Sequence, residues 1–171
     1  MSYYSRSGEN ANSAILVGIT PEDFADPSPL AGAELQKEIE KAAFFKAGGK
    51  YLAPCTTVGK LLGSVSAFET GKVKPTYLPG TVYVDPREYL PEYAVESVKR
   101  ALPMFARKIS CFGDVEAVLI GPETRSSSPV RITRGESLES VSLKGLYPCG
   151  EGAGYAGGIV SSAVDGIRCA I

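Results

Sequence analysis

The C-terminal stretch Gly145-Leu-Tyr-Pro-Cys-Gly-Glu-Gly-Ala-Gly-Tyr-Ala-Gly-Gly-Ile-Val-Ser-Ser-Ala-Val-Asp-Gly-Ile-Arg-Cys-Ala-Ile171 decides how the rest of the chain is interpreted. It predicts a short apolar strand, Leu146–Cys149, followed by a glycine-dense turn and an amphipathic helix from about Tyr155 to the last residue. Glycine tolerates positive φ and lets other groups approach the backbone closely. A helix N-terminus adds unpaired N–H groups and partial positive charge. The stretch is therefore typical of a site for a phosphate or another electron-rich ligand group.

Charge and hydropathy narrow the possible partners. The 171 residues carry 18 basic and 19 acidic side chains, a net charge of −1. This balance gives no reason to expect binding to nucleic acid or an anionic membrane. No apolar run approaches the ~20 residues of a membrane span, and the polar first residues lack the apolar core of a signal peptide. We therefore expect a cytoplasmic protein.

Two absences narrow the chemistry. The chain has no histidine, which excludes a Ser-His-Asp triad, a Cys-His pair and His-ligated zinc within it. Its four cysteines, Cys55, Cys111, Cys149 and Cys169, form no C-x-x-C pair. We expect reduced thiols and no metal site, and only Cys149 lies beside the glycine turn.

Hydrophobic periodicity predicts a mixed α/β (α+β) order of elements. Helices are expected at Leu30–Lys46, ended by Gly48-Gly49, at Val58–Leu62, and at Leu90–Ile109 with a kink or a break at Pro103. Extended segments or strands are expected at Asn12–Ile19, Tyr51–Val58, Asp114–Gly121 and Val130–Thr133. The remaining predictions are a helical turn beginning at Thr20-Pro21 and an irregular Gly71–Val84 segment with one or two short strands.

The segment Gly152–Gly157 matches G-x-G-x-x-G but lacks the rest of the dinucleotide-binding signature. That signature opens a βαβ unit and has an acidic residue about 20 positions further on. Here the chain ends 14 residues after Gly157. Two hypotheses remain: a strand–helix turn without a ligand, or the last strand and helix of a larger nucleotide-binding domain. Two features favour the second hypothesis. The predicted helix runs to the last residue without a cap, and the sequence begins directly before a pair of aromatic residues.

Three segments resemble a family of uncharacterised FAD-dependent dehydrogenases with a glutathione-reductase-like FAD domain. The most specific is Leu146–Ile167, and Glu123–Arg131 and Met1–Asn12 look like internal segments of the same family. The resemblance spans essentially the whole chain. Proteins of that family begin with a true G-x-G-x-x-G unit for the ADP part of FAD, and this chain supplies none.

The resemblance implies which residues would line the FAD site. The glycine turn would lie by the flavin end of the cofactor, with Glu151 accepting hydrogen bonds from sugar-like hydroxyl groups. The helix N-terminus would favour the negative charge that develops on the flavin pyrimidine ring on reduction. The implied cofactor-binding residues are Gly150, Glu151, Gly152, Ala153, Gly154, Tyr155, Ala156, Gly157 and Gly158, with Thr124, Arg125, Ser126, Ser127 and the adjacent Ser128 as a second lining segment.

We therefore expect an inserted substrate-type α+β domain at residues 9–115 and the C-terminal segment of a Rossmann-like FAD-binding domain at residues 116–171. The chain would be the C-terminal part of an FAD-dependent oxidoreductase, inactive and colourless alone, and its partner would be the missing N-terminal FAD domain. The substrate and catalytic residues are not predicted. The alternatives are a stand-alone nucleotide- or anion-binding module and an interaction module without redox activity.

Overall fold

The computed structural model describes residues 4–24, 26–68 and 71–171. The start of the predicted family segment, Met1 to Tyr3, lies outside them. The chain divides into two compact units. Unit 1 comprises Met1–Ile19 and Glu38–Pro122, and unit 2 comprises Thr20–Lys37 and Glu123–Ile171. The predicted boundary between residues 115 and 116 stays a prediction.

The described residues form a mixed α+β fold, which confirms the predicted class. Its elements are α1 (Ala31–Lys46), β1 (Ala53–Thr57), α2 (Val58–Leu62), β2 (Thr81–Tyr83), α3 (Glu92–Ala106), β3 (Val118–Ile120) and α4 (Ile159–Ala170). Single turns of 3-10 helix lie at Pro21–Asp23, Pro86–Glu88 and Ser110–Gly113. The predicted helices α1 and α2, the extended segment around β1, the short strand β2 and the turn at Pro21 are confirmed.

Unit 1 is built on a small mixed sheet in the order β2-β1-β3. Strand β1 pairs in parallel with β2, with Ala53 opposite Thr81, and antiparallel with β3, with Cys55 opposite Ile120. A parallel pair needs a crossover connection, and here it contains α2. The central strand β1 is consequently almost wholly buried.

The apolar core of unit 1 includes side chains of α2, α3 and the central strand β1. Leu102, Val58 and Val95 are each 1% exposed, and Cys55 is 2% exposed. Helix α3 continues through Pro103 as one α-helix, although Pro removes one backbone hydrogen bond. The buried face of α3, which includes Val95 and Leu102 seven residues apart, offsets that loss.

Helix α1 ends where the glycine pair predicts. Gly48 and Gly49 have φ of +89° and +69°, a left-handed conformation that glycine adopts without a side-chain penalty. The buried Ala43 of α1 packs with Val84 and Tyr89.

Three predicted strands are wrong. Asn12–Ile19 contains no strand, and its Leu16 is 65% exposed, because none of the three described strands pairs with it and an apolar run needs a ladder partner to become a strand. Val130–Thr133 and Leu146–Cys149 are also irregular. Their backbone groups bond to turns instead, with Ile132 N–H donating to Ala153 O and Leu146 N–H to Leu143 O. Pro148 has no N–H to give to a ladder.

Two other elements begin later than predicted. Helix α4 starts at Ile159 and not near Tyr155, because Gly158 is fully extended with φ −164° and ψ 166° and acts as its N-cap. Strand β3 starts at Val118 and not at Asp114, because a turn with Ala117 N–H donating to Asp114 O comes first.

Candidate functional site

The glycine-rich turn of unit 2 is closed by its own backbone. Tyr155 N–H donates to Gly150 O at 3.0 Å, and Gly154 N–H donates to Glu151 O at 2.9 Å. Gly154 has φ +82°, and a Cβ there would lie 2.5 Å from the carbonyl oxygen of Val130. Only glycine therefore permits this close backbone approach.

A buried ion pair holds the turn against α4. The Arg134 guanidinium binds both oxygens of the Asp165 carboxylate, with Nη1 to Oδ2 at 3.0 Å and Nη2 to Oδ1 at 2.7 Å. The side chains are 11% and 12% exposed. The Gly150 N–H donates to the same Asp165 Oδ2 at 2.9 Å, and Arg134 Nη1 donates to Pro148 O at 2.8 Å. One charged pair thus joins the turn, the segment before it and α4.

The electrostatics of this pair agree with its geometry. The hydrogen bond from Arg134, followed by that from the Gly150 N–H, lowers the pKa of Asp165 from its ordinary 3.8 to about 2. The hydrogen bond to Asp165 raises the pKa of Arg134. Both groups therefore stay charged at neutral pH.

An aromatic ring completes the cluster. The Arg134 guanidinium carbon lies 3.8 Å from the Tyr155 ring centroid, and that of Arg131 lies 5.1 Å away, both within cation–π range. The Tyr155 hydroxyl accepts from Arg134 N–H at 3.0 Å and donates to Ile132 O at 3.2 Å. Arg131 Nε donates to Gly154 O at 3.0 Å. Residues 131–134 therefore fix the second half of the turn.

The last glycines of the turn lead into an uncapped helix. No side chain caps α4 at Gly158, so the first N–H groups of the helix lack a capping acceptor. A Cβ added at Gly157 or Gly152 would meet nothing within 4 Å. The backbone at these two glycines is therefore open where a side chain would stand, and uncapped helix N–H groups are donors of the kind that a phosphate or another electron-rich group accepts from.

The structure brings parts of both predicted segments to one cavity in unit 2. Its volume is about 320 Å³. Arg125 and Ser127 from the first segment line it together with Glu151 and Gly152 from the second. The remaining lining residues are Gln36, Ser128 and Pro129. The cavity joins segments that lie more than twenty positions apart in the sequence.

Other predicted site residues lie elsewhere. The carbonyl oxygen of Thr124 accepts from Gln36 Nε2 at 2.8 Å, and neither Thr124 nor Ser126 lines the cavity. Ala153 is buried within the turn. The stretch from Gly154 to Gly158, including Ala156, leads toward α4 and does not line the cavity either.

Sequence reasoning missed Gln36, Arg134 and Asp165. Ser128 Oγ donates to Val130 O at 2.8 Å and is 3.2 Å from Gly152 O, which fastens the loop of Ser126, Ser127 and Ser128 to the glycine turn. Asp165 could have been identified from the sequence, because an acidic side chain among the apolar residues of a helix indicates a buried polar partner. No pattern in the sequence identifies that partner as Arg134.

Two further observations apply to residues 4–24, 26–68 and 71–171. No three His, Cys, Asp or Glu side chains in these ranges gather as ligands for a metal ion. None of their helices combines the length and apolar character of a membrane span.

Comparison with known proteins points to one family. Residues 1–126 match the model of a family described as "FAD-dependent protein, C-terminal domain-like". An uncharacterised protein of Clostridium beijerinckii is 47% identical over 170 residues, which cover 99% of this chain and 32% of that relative. The chain therefore spans about a third of the length of this curated relative. The stretch that the family model matches ends before the glycine turn. The alignment with the Clostridium beijerinckii protein covers almost the whole chain and includes the turn.

Proposed function

The chain belongs to the family of FAD-dependent proteins defined by that C-terminal domain-like model, and from this premise we propose that it supplies the flavin-facing part of an FAD site in a longer oxidoreductase. FAD, when bound, supplies two-electron redox chemistry between a substrate and an acceptor. A dehydrogenase with a glutathione-reductase-like FAD domain is the specific form of the proposal. The remainder of the protein, including a G-x-G-x-x-G unit, would bind the ADP part.

The cavity of unit 2 is the observation that carries the proposal. Arg125 and Ser127 line it together with Glu151 and Gly152, so a cationic group, hydroxyl groups and a carboxylate border one space. In our proposal Glu151 accepts hydrogen bonds from ribityl hydroxyl groups, and Arg125 attracts an anionic part of the cofactor. Thr124 and Ser126 would support this loop from outside the cavity.

The uncapped start of α4 has a separate role in the proposal. The N–H groups behind Gly157 and Gly158 would donate to the pyrimidine edge of the flavin. The partial positive charge of the helix N-terminus would stabilise the anion that forms there on reduction. The glycines matter because a side chain at Gly157 would occupy the space that the cofactor needs.

The exposed apolar face of α4 supports the proposal that another domain covers it. Ile159 is 91%, Val160 75% and Ile167 59% exposed, although helices of this kind normally bury their apolar stripe. The relative from Clostridium beijerinckii has about two thirds of its length outside the region matched by this chain. We propose that the N-terminal FAD domain covers this face in the longer protein. A cytoplasmic location belongs to the same proposal.

The test grafts this chain into the longer relative. The matching 170 residues of the Clostridium beijerinckii protein are replaced by this chain, and bound flavin is measured by its visible absorbance after purification. We expect stoichiometric flavin in the chimera and none with the isolated chain. Gly157→Val in the chimera should release flavin while circular dichroism stays unchanged, because an added Cβ meets no atom of this chain within 4 Å.

Gly18→Val is the matched control, because Gly18 also has nothing within 4 Å of an added Cβ and lies in unit 1. Flavin retention by Gly157→Val equal to that of Gly18→Val would remove Gly157 from the site. If the purified chimera contains no flavin while the unaltered relative does, the proposal is contradicted. Calorimetric titration of the isolated chain with ADP and phosphate tests the alternative of a stand-alone binding module, for which tight binding is expected.

A further inference from the structure

Unit 2 contains two cysteines that lie near the same charged cluster. Cys149 directly precedes the glycine turn, and Cys169 lies in the last turn of α4. Both are free thiols, Cys149 exposed and Cys169 partly buried. Burial and, to a smaller extent, Asp165 and the nearby Cys149 thiol raise the pKa of the Cys169 thiol. Two cysteines that are twenty positions apart in the sequence are thus neighbours in the folded chain.

The charged cluster described above explains this proximity. Asp165 and Cys169 are four residues apart on α4, so they share one face of the helix. Asp165 accepts from the N–H of Gly150, the residue after Cys149, at 2.9 Å. Arg134 Nη1 donates to Cys169 Sγ at 3.2 Å and to Pro148 O, the residue before Cys149, at 2.8 Å. Bonds to both neighbours of Cys149 therefore hold it against the face that presents Cys169.

We propose that Cys149 and Cys169 form a redox-active dithiol, which reacts with low-molecular-weight disulfides to give an intramolecular Cys149–Cys169 disulfide. This site lies in unit 2 and does not depend on the proposed binding of FAD.

The reaction is two successive thiol–disulfide exchanges. The Cys149 thiolate attacks one sulfur of the small disulfide, which forms a mixed disulfide and releases one small thiolate. The Cys169 thiolate then attacks the Cys149 sulfur of that mixed disulfide and releases the second small thiolate. Protons lost by the two cysteines are taken up by these leaving groups. The protein loses two hydrogen atoms, and the small disulfide is reduced to two thiols.

The environments of the two sulfur atoms explain why Cys149 reacts first and Cys169 second. Cys149 is exposed and therefore accessible to a solution disulfide. Burial raises the pKa of the Cys169 thiol, while the adjacent Arg134 guanidinium opposes that rise, so less of it is thiolate at neutral pH. Cys169 consequently acts second, when the mixed disulfide brings the electrophilic sulfur to it. The Arg134 N–H bonded to its sulfur stabilises the thiolate as it forms.

The experiment oxidises the 171-residue chain with oxidised glutathione, blocks remaining thiols with N-ethylmaleimide and digests the protein with trypsin. Cleavage after Lys144 and Arg168 places the two cysteines in different peptides, 145–168 and 169–171. We expect these peptides to be joined by a disulfide, with a mass lower by two hydrogen atoms than their reduced sum. We expect little glutathione on Cys149 at the end point.

Two variants make the result specific. Cys169→Ser should lose the joined peptide completely and keep glutathione on Cys149, because the second exchange has no thiol. Cys111→Ser removes an exposed cysteine of unit 1 and should leave the joined peptide unchanged. Stable glutathione on Cys149 of the unaltered chain, or unmodified Cys149 beside modified Cys111, would overturn the proposal. Both outcomes are read on the unaltered protein, so neither requires a variant to fold.

Discussion

The two units of this chain are stabilised in different ways. Unit 1 has a three-stranded sheet and an apolar core in which Leu102, Val58 and Val95 are each 1% exposed. In unit 2 the described residues contain none of the three strands, and a charged pair, Arg134 with Asp165, bonds to backbone groups on both sides of Cys149. Apolar burial is non-directional and tolerates some adjustment, whereas a charged network with fixed donors depends on each partner. The units should therefore fail under different perturbations.

The largest expected effect is on the core of unit 1. Leu102→Ala removes a side chain that is 1% exposed and leaves a cavity, which costs about 3 kcal/mol. For a chain of this size the midpoint of thermal unfolding should fall by roughly 10 °C. Hydrogen exchange should show lost protection in β1. Met104→Ala on the same helix is the control, since Met104 is 64% exposed; an equal loss in that variant would contradict a core centred on Leu102.

A backbone change in the glycine turn should come next. Gly154→Ala places a methyl group 2.5 Å from the Val130 carbonyl oxygen at φ +82°. Strain of this kind costs about 2 kcal/mol, and we expect faster hydrogen exchange in unit 2 with unit 1 unaffected. Gly157→Ala is the matched control because its methyl group has open space. Equal exchange rates in the two variants would show that the turn adapts as freely as an apolar core.

A third change tests the charge of the network. Asp165→Asn should destabilise unit 2 at pH 7, with a loss of roughly 5 °C in its unfolding midpoint. The pKa of Asp165 is lowered from 3.8 to about 2, so its stabilising effect is complete above the ordinary value and is lost as the pH falls from about 4 to about 2. The difference between the variant and the unaltered chain should vanish below that window.

NMR provides the direct measurement for this prediction. The Gly150 N–H donates to Asp165 Oδ2, so its amide proton shift should titrate at about pH 2. Asp165→Asn should abolish this titration, while Asp85, whose pKa is lowered by its hydrogen bond to Arg87 in unit 1, still titrates. A Gly150 titration near pH 4 would show that the pair does not hold the carboxylate in its charged form.

The same contrast explains what could be predicted from sequence. Helix α1 and its end at Gly48-Gly49 are local features, set by periodicity within one segment and by positive φ at two glycines. The predicted strands at 130–133 and 146–149 failed because a strand depends on a distant partner, and no local pattern supplies one. The Arg134–Asp165 pair spans 31 positions. Local patterning described the helices of the chain but not this network.

The candidate site was predictable only in part for a related reason. Resemblance to a family indicated both the loop at 124–127 and the turn at 150–158, but not which side chains would share a space. Arg125, Ser127, Glu151 and Gly152 share a cavity, whereas Thr124 turns its carbonyl oxygen to Gln36. Gln36 comes from α1 and could be assigned to the cavity only once the fold was known.

The smallest expected effect concerns an ion pair on the surface of unit 1. Lys46 Nζ lies 3.0 Å from Glu88 Oε2, with side chains 49% and 47% exposed. Glu88→Gln should change the unfolding free energy by no more than about 0.5 kcal/mol, because solvent and salt screen an exposed pair. Measuring Glu88→Gln and Asp165→Asn in low and in high salt distinguishes the effect of an exposed ion pair from that of a charge that is hydrogen-bonded to backbone donors. An effect as large as that of Asp165→Asn would mean that unit 1 also depends on ion pairing, and the contrast between the units would then lie in their topology alone.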